Sequence, residues 1–411
     1  MKYLKLLLCV SALFIYFDSH ACTSVIISSR ATASGKPLML KNRDTDSLNN
    51  SIEYFNGPLY SFVGLVNSDD KVRQVWTGTN SSGFSIMNTA SYNLKYDNVE
   101  DSEMDKEGEL MFRALGMCAT LNDFEYFLDN IVSKPYCVQA NFGVIDASGG
   151  AAYYEVDNFS WKKYDVNEIP CGYRVVTNFS ESGNKEDYKG YERYLTASSI
   201  MNDFYSNSEE GKMEIGPHDL IYGISRSYRN SFIGLDYLSD FSSLKSDYGF
   251  TGIVPDQDFI PRRSTSCAIV IEGVKPGEDP LHTIMWTVLG YPCCSVSVPV
   301  LVCDEDVIPY YLKTSYSTHT SEMCDFALKL KDNQVFKFNV SNGPQYIDLN
   351  SVMDLLHSCL MTESYIEEKW FPIYERWTGG ILDLNSFKKE YKQFISSYFV
   401  EYLSHFMPFT K

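Results

Sequence analysis

Histidine and metal-binding cysteine motifs are scarce in this chain, which excludes several kinds of site. Six histidines are spread over 411 residues, and neither a CxxC nor an HExxH spacing occurs. Because zinc centres depend on such spacings, we expect no metal site. The net charge of −18 leaves little basic surface, so we also exclude nucleic acid as a partner.

Cysteines and long apolar segments are also few. Eleven cysteines are too few for a disulfide scaffold, and the neighbours Cys293 and Cys294 cannot easily bridge to each other. The pairing of any bridges stays open at this stage. After residue 21 no segment approaches 18 uninterrupted apolar residues. We therefore expect a soluble processed chain with a large core and no stable membrane insertion.

The first 21 residues have the features of a secretory signal peptide. Two lysines precede an apolar run at 6–17, and small residues stand at Ser19 and Ala21, where signal peptidase requires them. The run is too short to span a bilayer, which needs roughly 20 residues. Cleavage after Ala21 would make Cys22 the first residue of a secreted or periplasmic protein. An uncleaved anchor and a lipoprotein are the alternatives, although a lipidation site has an aliphatic residue where Ser19 stands.

Periodicity predicts a mixed α/β protein. Strands are predicted at 23–29, 36–42, 61–67, 72–78, 83–88, 140–146, 151–156, 173–177, 267–272 and 283–289. Helices are predicted at 107–118, 123–131, 188–205, 218–228, 321–330, 349–374 and 384–406, the second with Thr120 or Asn122 as its cap. Helical blocks around strand-rich segments suggest stacked antiparallel sheets with helices on both outer faces.

A cysteine at a mature N-terminus can act as a nucleophile without a histidine partner. Its own α-amino group, with a free pKa of about 7.7–8.0, lies close enough to take the thiol proton. Cys22 would then be both nucleophile and general base. The alternative is that Cys22 merely follows the cleaved bond.

A motif begins at Cys22 with Cys-Thr-Ser-Val-Ile-Ile and continues, after a predicted hairpin, with Lys41-Asn42-Arg43-Asp44. This pattern resembles the N-terminal nucleophile (Ntn) hydrolases, specifically the linear amide C–N hydrolase group. That group includes penicillin V acylase, conjugated bile salt hydrolase, acid ceramidase-type amidases and the acyltransferase acting on 6-aminopenicillanic acid. Further matches at 78–84, 86–90, 141–146, 154–155 and 176–179 extend the resemblance over residues 22–179 and, more weakly, 262–302.

The resemblance implies an α+β fold, a four-layer αββα sandwich of two antiparallel sheets covered by helices. The predicted organisation is a signal peptide at 1–21, an αββα domain at 22–303 and a helix-rich C-terminal part at 304–411. We expect the helix-rich part to pack on the same domain.

The resemblance also implies catalytic residues. Asp44 matches the aspartate that hydrogen-bonds the free α-amino group, with a turn residue as the alternative. Lys41 stands where arginine is usual; it keeps the charge that favours a thiolate but lacks the planar fork, and it could instead be a solvated strand residue. Asn88 and Asn178 match two asparagines near the scissile carbonyl, one donating to the oxyanion and one orienting the amino terminus or substrate.

Two arginines and a sequon complete the candidate residues. Family members place an arginine near the pocket, for which Arg193 and Arg263 are the candidates, with Arg263 favoured slightly because it precedes a predicted strand. Both could be solvated surface residues. Asn178-Phe179-Ser180 is also a glycosylation sequon, whose alternative meaning is an exposed loop.

These residues predict acyl transfer without a cofactor. Cys22 would form an acyl-thioester with a small-molecule linear amide that has a hydrophobic acyl part, while Asn178 and backbone amides hold the oxyanion. An acyltransferase or a dipeptidase could use the same scaffold. A non-catalytic secreted or lipidated binding protein is the alternative from another class. A homo-oligomer is compatible with the sequence, which does not determine it.

Overall fold

The computed structural model of the chain describes residues 21–70, 72–94, 96–256, 259–338 and 345–410. The predicted signal peptide lies outside the described residues except for Ala21. The strands are β1 (Cys22–Ile27), β2 (Leu38–Asp44), β3 (Asn50–Asn56), β4 (Ser61–Asn67), β5 (Thr77–Asn80), β6 (Ser85–Ala90), β7 (Ala140–Ile145), β8 (Ala151–Val156), β9 (Trp161–Asp165), β10 (Tyr173–Val176), β11 (Arg229–Asn230), β12 (Leu235–Asp236), β13 (Ile253–Pro255), β14 (Thr265–Glu272), β15 (Ile284–Leu289), β16 (Val298–Val300) and β17 (Tyr346–Asp348). The α-helices are α1 (Glu107–Met117), α2 (Leu121–Tyr126), α3 (Tyr191–Ser206), α4 (Pro217–Leu220), α5 (Phe241–Tyr248), α6 (Glu322–Leu330), α7 (Leu349–Tyr365), α8 (Phe371–Thr378) and α9 (Leu384–Phe406).

Two antiparallel sheets face each other at the centre of the molecule. Sheet 1 has the strand order β10-β1-β2-β14-β15-β16, and sheet 2 runs from β3 to β9 in chain order. Contacts of β1 with β6 and β8, and of β2 with β7, join the two facing sides. The first strand is therefore flanked on both edges within sheet 1 and covered by sheet 2.

Helices cover the outer face of each sheet. On sheet 2, α1 and α2 pack around a core that includes Phe62, Phe124 and Phe142. On sheet 1, residues of α3, α4 and α6 to α9 share one hydrophobic core with the strands. The predicted αββα sandwich is therefore confirmed, together with its helical C-terminal region. Within the described residues, no helix is both long enough and apolar enough to cross a bilayer.

Local sequence explains why β1, α2 and α6 form where they do. All six residues of β1 are buried, and its β-branched side chains suit a strand covered on both faces. The predicted cap Thr120 starts α2, because its side chain accepts from the Asp123 nitrogen while the Asp123 carboxylate accepts from the Thr120 nitrogen. In the same way, the Ser321 hydroxyl caps α6.

Some predicted elements differ from the structure. The strand predicted at 72–78 starts only at Thr77, because the preceding main chain at Val75 donates to Gly108 at the start of α1. The helix predicted at 349–374 is divided into α7 and α8 by a π-helical turn at Ile366–Trp370. Pro372, which supplies no N–H, lies just after it at the start of α8. Periodicity missed β3 and β9, since both are edge strands of sheet 2 with half-buried or exposed residues.

Candidate active site

Cys22 opens β1, and its neighbours come from both adjoining strands. Cys22 lies opposite Arg43 of β2, and Ser24 lies opposite Lys41. Because directly opposite residues of an antiparallel pair share a face, Cys22, Lys41 and Arg43 project from the same side of sheet 1. The pairing of β10 with β1 brings Asn178, which follows β10, alongside Cys22. The candidate nucleophile is thus 6% exposed and surrounded by polar and cationic groups.

Asn178 and Arg193 bind the backbone at Cys22. The Cys22 nitrogen donates to Asn178 Oδ1 at 2.9 Å, and Arg193 Nη2 donates to the same oxygen at 2.8 Å. Arg193 Nη1 donates to Cys22 O at 2.7 Å and to Thr23 Oγ1 at 3.0 Å. Asn178 Nδ2 donates to Ala90 O at 2.9 Å, so the amide orientation follows from its partners. Because Asn178 is fully buried, its sequon is inaccessible to glycosylation in the folded chain.

The glycine before α3 gives Arg193 its path to the site. Gly190 has a φ of 80°, in the left-handed region that favours glycine. A Cβ at this position would collide with Arg193 Nη2. Its carbonyl also accepts from Thr177 Oγ1 at 3.2 Å, next to Asn178 in sequence. The local sequence therefore fixes the start of α3 against the end of β10.

Asp44 ends β2 in a buried polar cage. Thr265 Oγ1 and Asn42 Nδ2 donate to Asp44 Oδ1 at 2.6 and 3.2 Å, and Arg262 Nε donates to Oδ2 at 2.9 Å. Burial raises the pKa of the Asp44 carboxyl, and the positive charges of Arg262 and Arg193 oppose that shift. The Asp44 carboxylate thus accepts from Thr265, Asn42 and Arg262, and its charge is close enough to Arg193 to interact with it.

The junction between Ala21 and Cys22 is buried. Ala21 is 3% exposed, and its carbonyl accepts from the main-chain N–H of Asp44 at 2.9 Å. This bond extends the pairing of β1 with β2 by one residue. With Ala21 attached, the Cys22 nitrogen is a peptide amide and cannot act as a base. Removing Ala21 would turn it into an amine and take away the acceptor of the Asp44 N–H.

Lys41 and Asn88 form a second polar pair that joins the two sheets. Lys41 Nζ donates to Asn88 Oδ1 at 2.7 Å and to Trp76 O at 2.5 Å. Burial lowers the pKa of Lys41 to about 8, and negative charge at Cys22 opposes this shift. Because the ammonium holds the amide oxygen of Asn88, the amide nitrogen of Asn88 points away from Lys41. Lys41 is therefore a buried residue and not a solvated one.

Sequence reasoning missed two arginines of the site. Arg43 donates to Asn50 Oδ1 and Asn67 Oδ1, each at 2.9 Å, and stacks on Trp76 at 4.8 Å. Its position two residues after Lys41, on the same face of β2, was a signal that could have identified it. Arg262 pairs with an aspartate 218 residues away, so local patterns gave no signal for that contact.

Arg263 points to a different part of the molecule. Its Nη2 forms an ion pair with Asp332 at 3.0 Å, and its guanidinium lies over Phe336 at 5.4 Å. Its main-chain nitrogen donates to Asp256. Of the two candidates for the pocket arginine, Arg193 is the one that reaches Cys22, whereas Arg263 pairs with Asp332.

The arrangement suits nucleophilic chemistry at sulfur. A thiol at the end of a buried strand lies beside cationic side chains and amide groups, which can stabilise negative charge on sulfur or on an oxyanion. The ten cysteines in the described residues are free thiols. Across the same residues, no group of three or more histidine, cysteine or carboxylate side chains could hold a metal ion.

No protein family and no curated protein matches the sequence at a significant level. Among solved structures, the chain is similar to a mutant conjugated bile acid hydrolase from Clostridium perfringens, at 12% identity and a TM-score of 0.41, over 65% of this chain and 89% of that one. It is similar to penicillin V acylase from Agrobacterium tumefaciens, at 14% identity and a TM-score of 0.36, over 68% and 86%. It is also similar to the Caenorhabditis elegans ortholog of N-acylethanolamine-hydrolyzing acid amidase, at 16% identity and a TM-score of 0.36, over 63% and 93%. Over about two thirds of its length, the chain is thus similar to proteins named as a hydrolase, an acylase and an amidase, including two of the enzyme types that its sequence motifs resemble.

Proposed function

We propose that the chain is a secreted cysteine amidase that hydrolyses linear amides through an acyl-thioester on Cys22. The observation that carries this proposal is the 2.9 Å hydrogen bond from the Cys22 nitrogen to Asn178 Oδ1, an oxygen that Arg193 also holds. After cleavage between Ala21 and Cys22, this nitrogen becomes an α-amine that Asn178 holds beside the Cys22 thiol. Such an amine supplies the general base that the thiol needs.

The proposed reaction proceeds in two steps. The α-amine of Cys22 takes the thiol proton, and the sulfur attacks the amide carbonyl to form a tetrahedral oxyanion. The C–N bond then breaks as the protonated α-amine gives its proton to the leaving nitrogen, which leaves an acyl-thioester. In the second step the α-amine takes a proton from water, and the hydroxide attacks the thioester carbonyl. The C–S bond then breaks to release the carboxylic acid, and the protonated α-amine returns its proton to the sulfur.

The residues around Cys22 would stabilise the oxyanion, orient the amine and adjust the local charge. We assign the oxyanion donor to Asn88, whose amide nitrogen points away from Lys41, because the amide nitrogen of Asn178 already donates to Ala90 O. Asn178 and Arg193 orient the amine. Lys41 and Asp44 adjust the charge around it, the first favouring negative sulfur and the second balancing the protonated amine.

Replacing the sulfur atom tests the proposal. Cys22→Ala should leave a folded, secreted protein whose amidase activity falls to background, because the attacking atom is gone. Cys22→Ser should be much slower than the wild type, since an alkoxide is harder to form than a thiolate at neutral pH. The matched control is Cys171→Ala, which removes a half-buried thiol. Unchanged turnover in Cys22→Ala would refute the mechanism.

The intact mass of the secreted protein tests the processing step. The proposal requires a chain that begins with an unmodified Cys22. A mass increased by lipid would instead identify an anchored lipoprotein, whose acylated amino terminus cannot act as a base. A mass that includes residues 1–21 would contradict removal of the leader.

A further inference from the structure

The strand β10 leaves one edge of sheet 1 open. It comes first in the strand order of that sheet and, among the described strands, pairs with β1 alone. Next to this pairing, the Ser28 nitrogen donates to Gly172 O at 2.8 Å. Because bonded and non-bonded pairs alternate along an antiparallel ladder, the main-chain groups of Arg174 point to β1. Those of Tyr173 and Val175 therefore point to the open edge.

The outward main-chain groups at this edge lack protein partners. Across the part of the chain that the structure describes, no hydrogen bond reaches the nitrogen of Tyr173 or either main-chain group of Val175. The Tyr173 carbonyl accepts from the Cys171 thiol at 3.6 Å. Val175 is only 7% exposed, and buried main-chain groups are nearly always paired in folded proteins. This edge therefore has donors and acceptors available to a further strand.

The four residues of β10 line a groove of about 830 Å³ whose two walls differ. The ring of Tyr173 contacts Tyr205 of α3 at 6.2 Å, which identifies the face of sheet 1 that α3 covers. Val175 shares that face, because it is two residues further along the strand. Arg174 lies on the opposite face, where its guanidinium is 4.2 Å from the ring centre of Tyr164 on β9. One wall is thus formed by α3 and the other by the edge of sheet 2.

The wall on the α3 side is aromatic. Tyr191 and Tyr194 stack at 6.0 Å on the first turn of α3. Phe179 meets Tyr194 at 5.4 Å and Tyr188 edge-on at 4.8 Å. Tyr188 and Tyr191 are 37% and 42% exposed. Exposed rings in a concave site offer a large apolar contact, so this wall favours apolar side chains of a partner.

The wall on the side of sheet 2 offers a hydrogen-bond donor. Arg174 Nη2 donates to the Glu181 carboxylate at 2.7 Å, so the two charges balance each other. Arg174 Nε is buried and has no hydrogen-bond partner among the described residues. Glu155 also lines the groove, and its carboxylate accepts from the main-chain nitrogens of Glu181 and Ser182. A neutral oxygen, as in a hydroxyl or side-chain amide, fits a donor whose cation is already paired.

We propose that β10 binds an extended peptide as an additional antiparallel strand of sheet 1. Successive side chains of a strand point to opposite faces, so the peptide alternates apolar residues toward α3 with hydroxyl or amide residues toward sheet 2. The residue opposite Val175 shares its face and is therefore apolar, and it exchanges both main-chain hydrogen bonds with Val175. Cys22 is not among the residues that line the groove, so this site is separate from the chemistry proposed for it.

A second copy of the chain is the competing occupant of this edge. Two β10 strands could pair across a twofold axis. Each copy would then bring its own α3, whose rings stand beside the strand, against the walls of the other groove. A single peptide strand carries no such neighbour, so the geometry favours a peptide.

Peptides with selective N-methylation test the main-chain pairing. The probe is acetyl-Lys-Val-Thr-Val-Thr-Val-Lys-amide, titrated by calorimetry into the full chain carrying Cys22→Ala, which excludes turnover. Methylating the valine nitrogens should weaken binding at least tenfold, because these N–H groups face β10. Methylating the threonine nitrogens, which face away from β10, should change the affinity less than twofold. Equal affinities of the two methylated peptides, or no binding of the parent peptide, would overturn the proposal.

Substitutions at the edge provide an independent test. Val175→Pro removes the outward N–H but none of the hydrogen bonds between β10 and β1, so it should weaken probe binding at least tenfold. Tyr191→Ala should also weaken it, whereas Tyr248→Ala, which changes an 81% exposed ring on α5, should not. Thermal unfolding checks that each variant is folded. Unchanged affinity of Val175→Pro would contradict pairing at this edge. In sedimentation, a dimer that Val175→Pro dissociates would overturn the peptide in favour of a second copy.

Discussion

At the scale of single residues, the buried ammonium of Lys41 should make the proposed amidase activity fall at alkaline pH. Its pKa is lowered to about 8, mainly by burial. As the pH rises through this value, Lys41 loses the charge that stabilises negative sulfur and one of its donor protons, which weakens its hold on Asn88. We therefore expect kcat/KM to fall above about pH 8 in a pH–rate profile.

Two substitutions at this position identify the titrating group. Lys41→Arg should remove the alkaline fall, because a guanidinium stays charged over this range. Lys41→Met should lower kcat/KM by about 10²-fold, the effect typical of losing one oxyanion donor, since Asn88 is no longer held. An unchanged alkaline fall in the arginine variant would show that another group titrates there.

The buried carboxyl of Glu107 makes the stability of the fold depend on pH between about 4.5 and 7. Burial raises the pKa of its carboxyl to about 7, although the Gln139 nitrogen donates to it. The folded chain therefore binds more protons than the unfolded chain between about pH 4.5 and 7, so this residue reduces stability as the pH rises through that window. Glu107→Gln should remove a penalty of up to about 3 kcal/mol at pH 8 and leave stability at pH 4 unchanged. Urea unfolding at both pH values measures this; equal effects at both would contradict it.

At the scale of elements, the predictable part of the site is the part made by local sequence. Cys22 and Asp44 lie on neighbouring strands of one hairpin, and the short motif that resembles the hydrolase group related them. Arg193 reaches Cys22 across 171 residues, and its position depends on how α3 packs on sheet 1. No pattern within either segment specifies that packing. For the same reason the sequence slightly favoured Arg263, whereas the folded chain brings Arg193 to Cys22.

A buried ion pair joins α7 to Arg226, which follows α4 and also contacts the turn before β16. Arg226 donates to both carboxylate oxygens of Glu363 at 2.9 and 3.0 Å, and to the carbonyls of Pro292 and Ser295. Both charged side chains are almost completely buried. Arg226→Met should reduce the free energy of unfolding by about 3–5 kcal/mol, because Glu363 remains as an unpaired buried charge.

A double variant tests whether the loss in Arg226→Met comes from breaking the ion pair with Glu363 or only from changing a large buried side chain. Arg226→Met combined with Glu363→Met should recover most of the lost stability, since apolar groups of similar volume replace the ion pair. Guanidinium unfolding of the two single variants and the double variant gives the coupling free energy. Additive losses would show that the two residues act independently.

At the scale of the whole molecule, activity should depend on where the chain begins. A processed chain that retains Ala21 before Cys22 should fold normally, because Ala21 already has a buried place and a hydrogen bond to Asp44. Its Cys22 nitrogen stays an amide, so amidase activity should be lost. Thermal unfolding should match that of the chain beginning at Cys22 to within a few degrees. Full activity of the longer chain would show that a different group acts as the base.

The burial of Ala21 also imposes an order of events during biogenesis. A peptidase needs access to an extended stretch of chain on both sides of the bond that it cuts. Once β1 is paired between β2 and β10, its residues are buried and give no such access. The proposed cleavage after Ala21 would therefore have to precede the closure of sheet 1 around this strand. Under this proposal, molecules that fold first would persist as a stable inactive population. The yield of the proposed amidase would then depend on the rate of cleavage relative to the rate of folding.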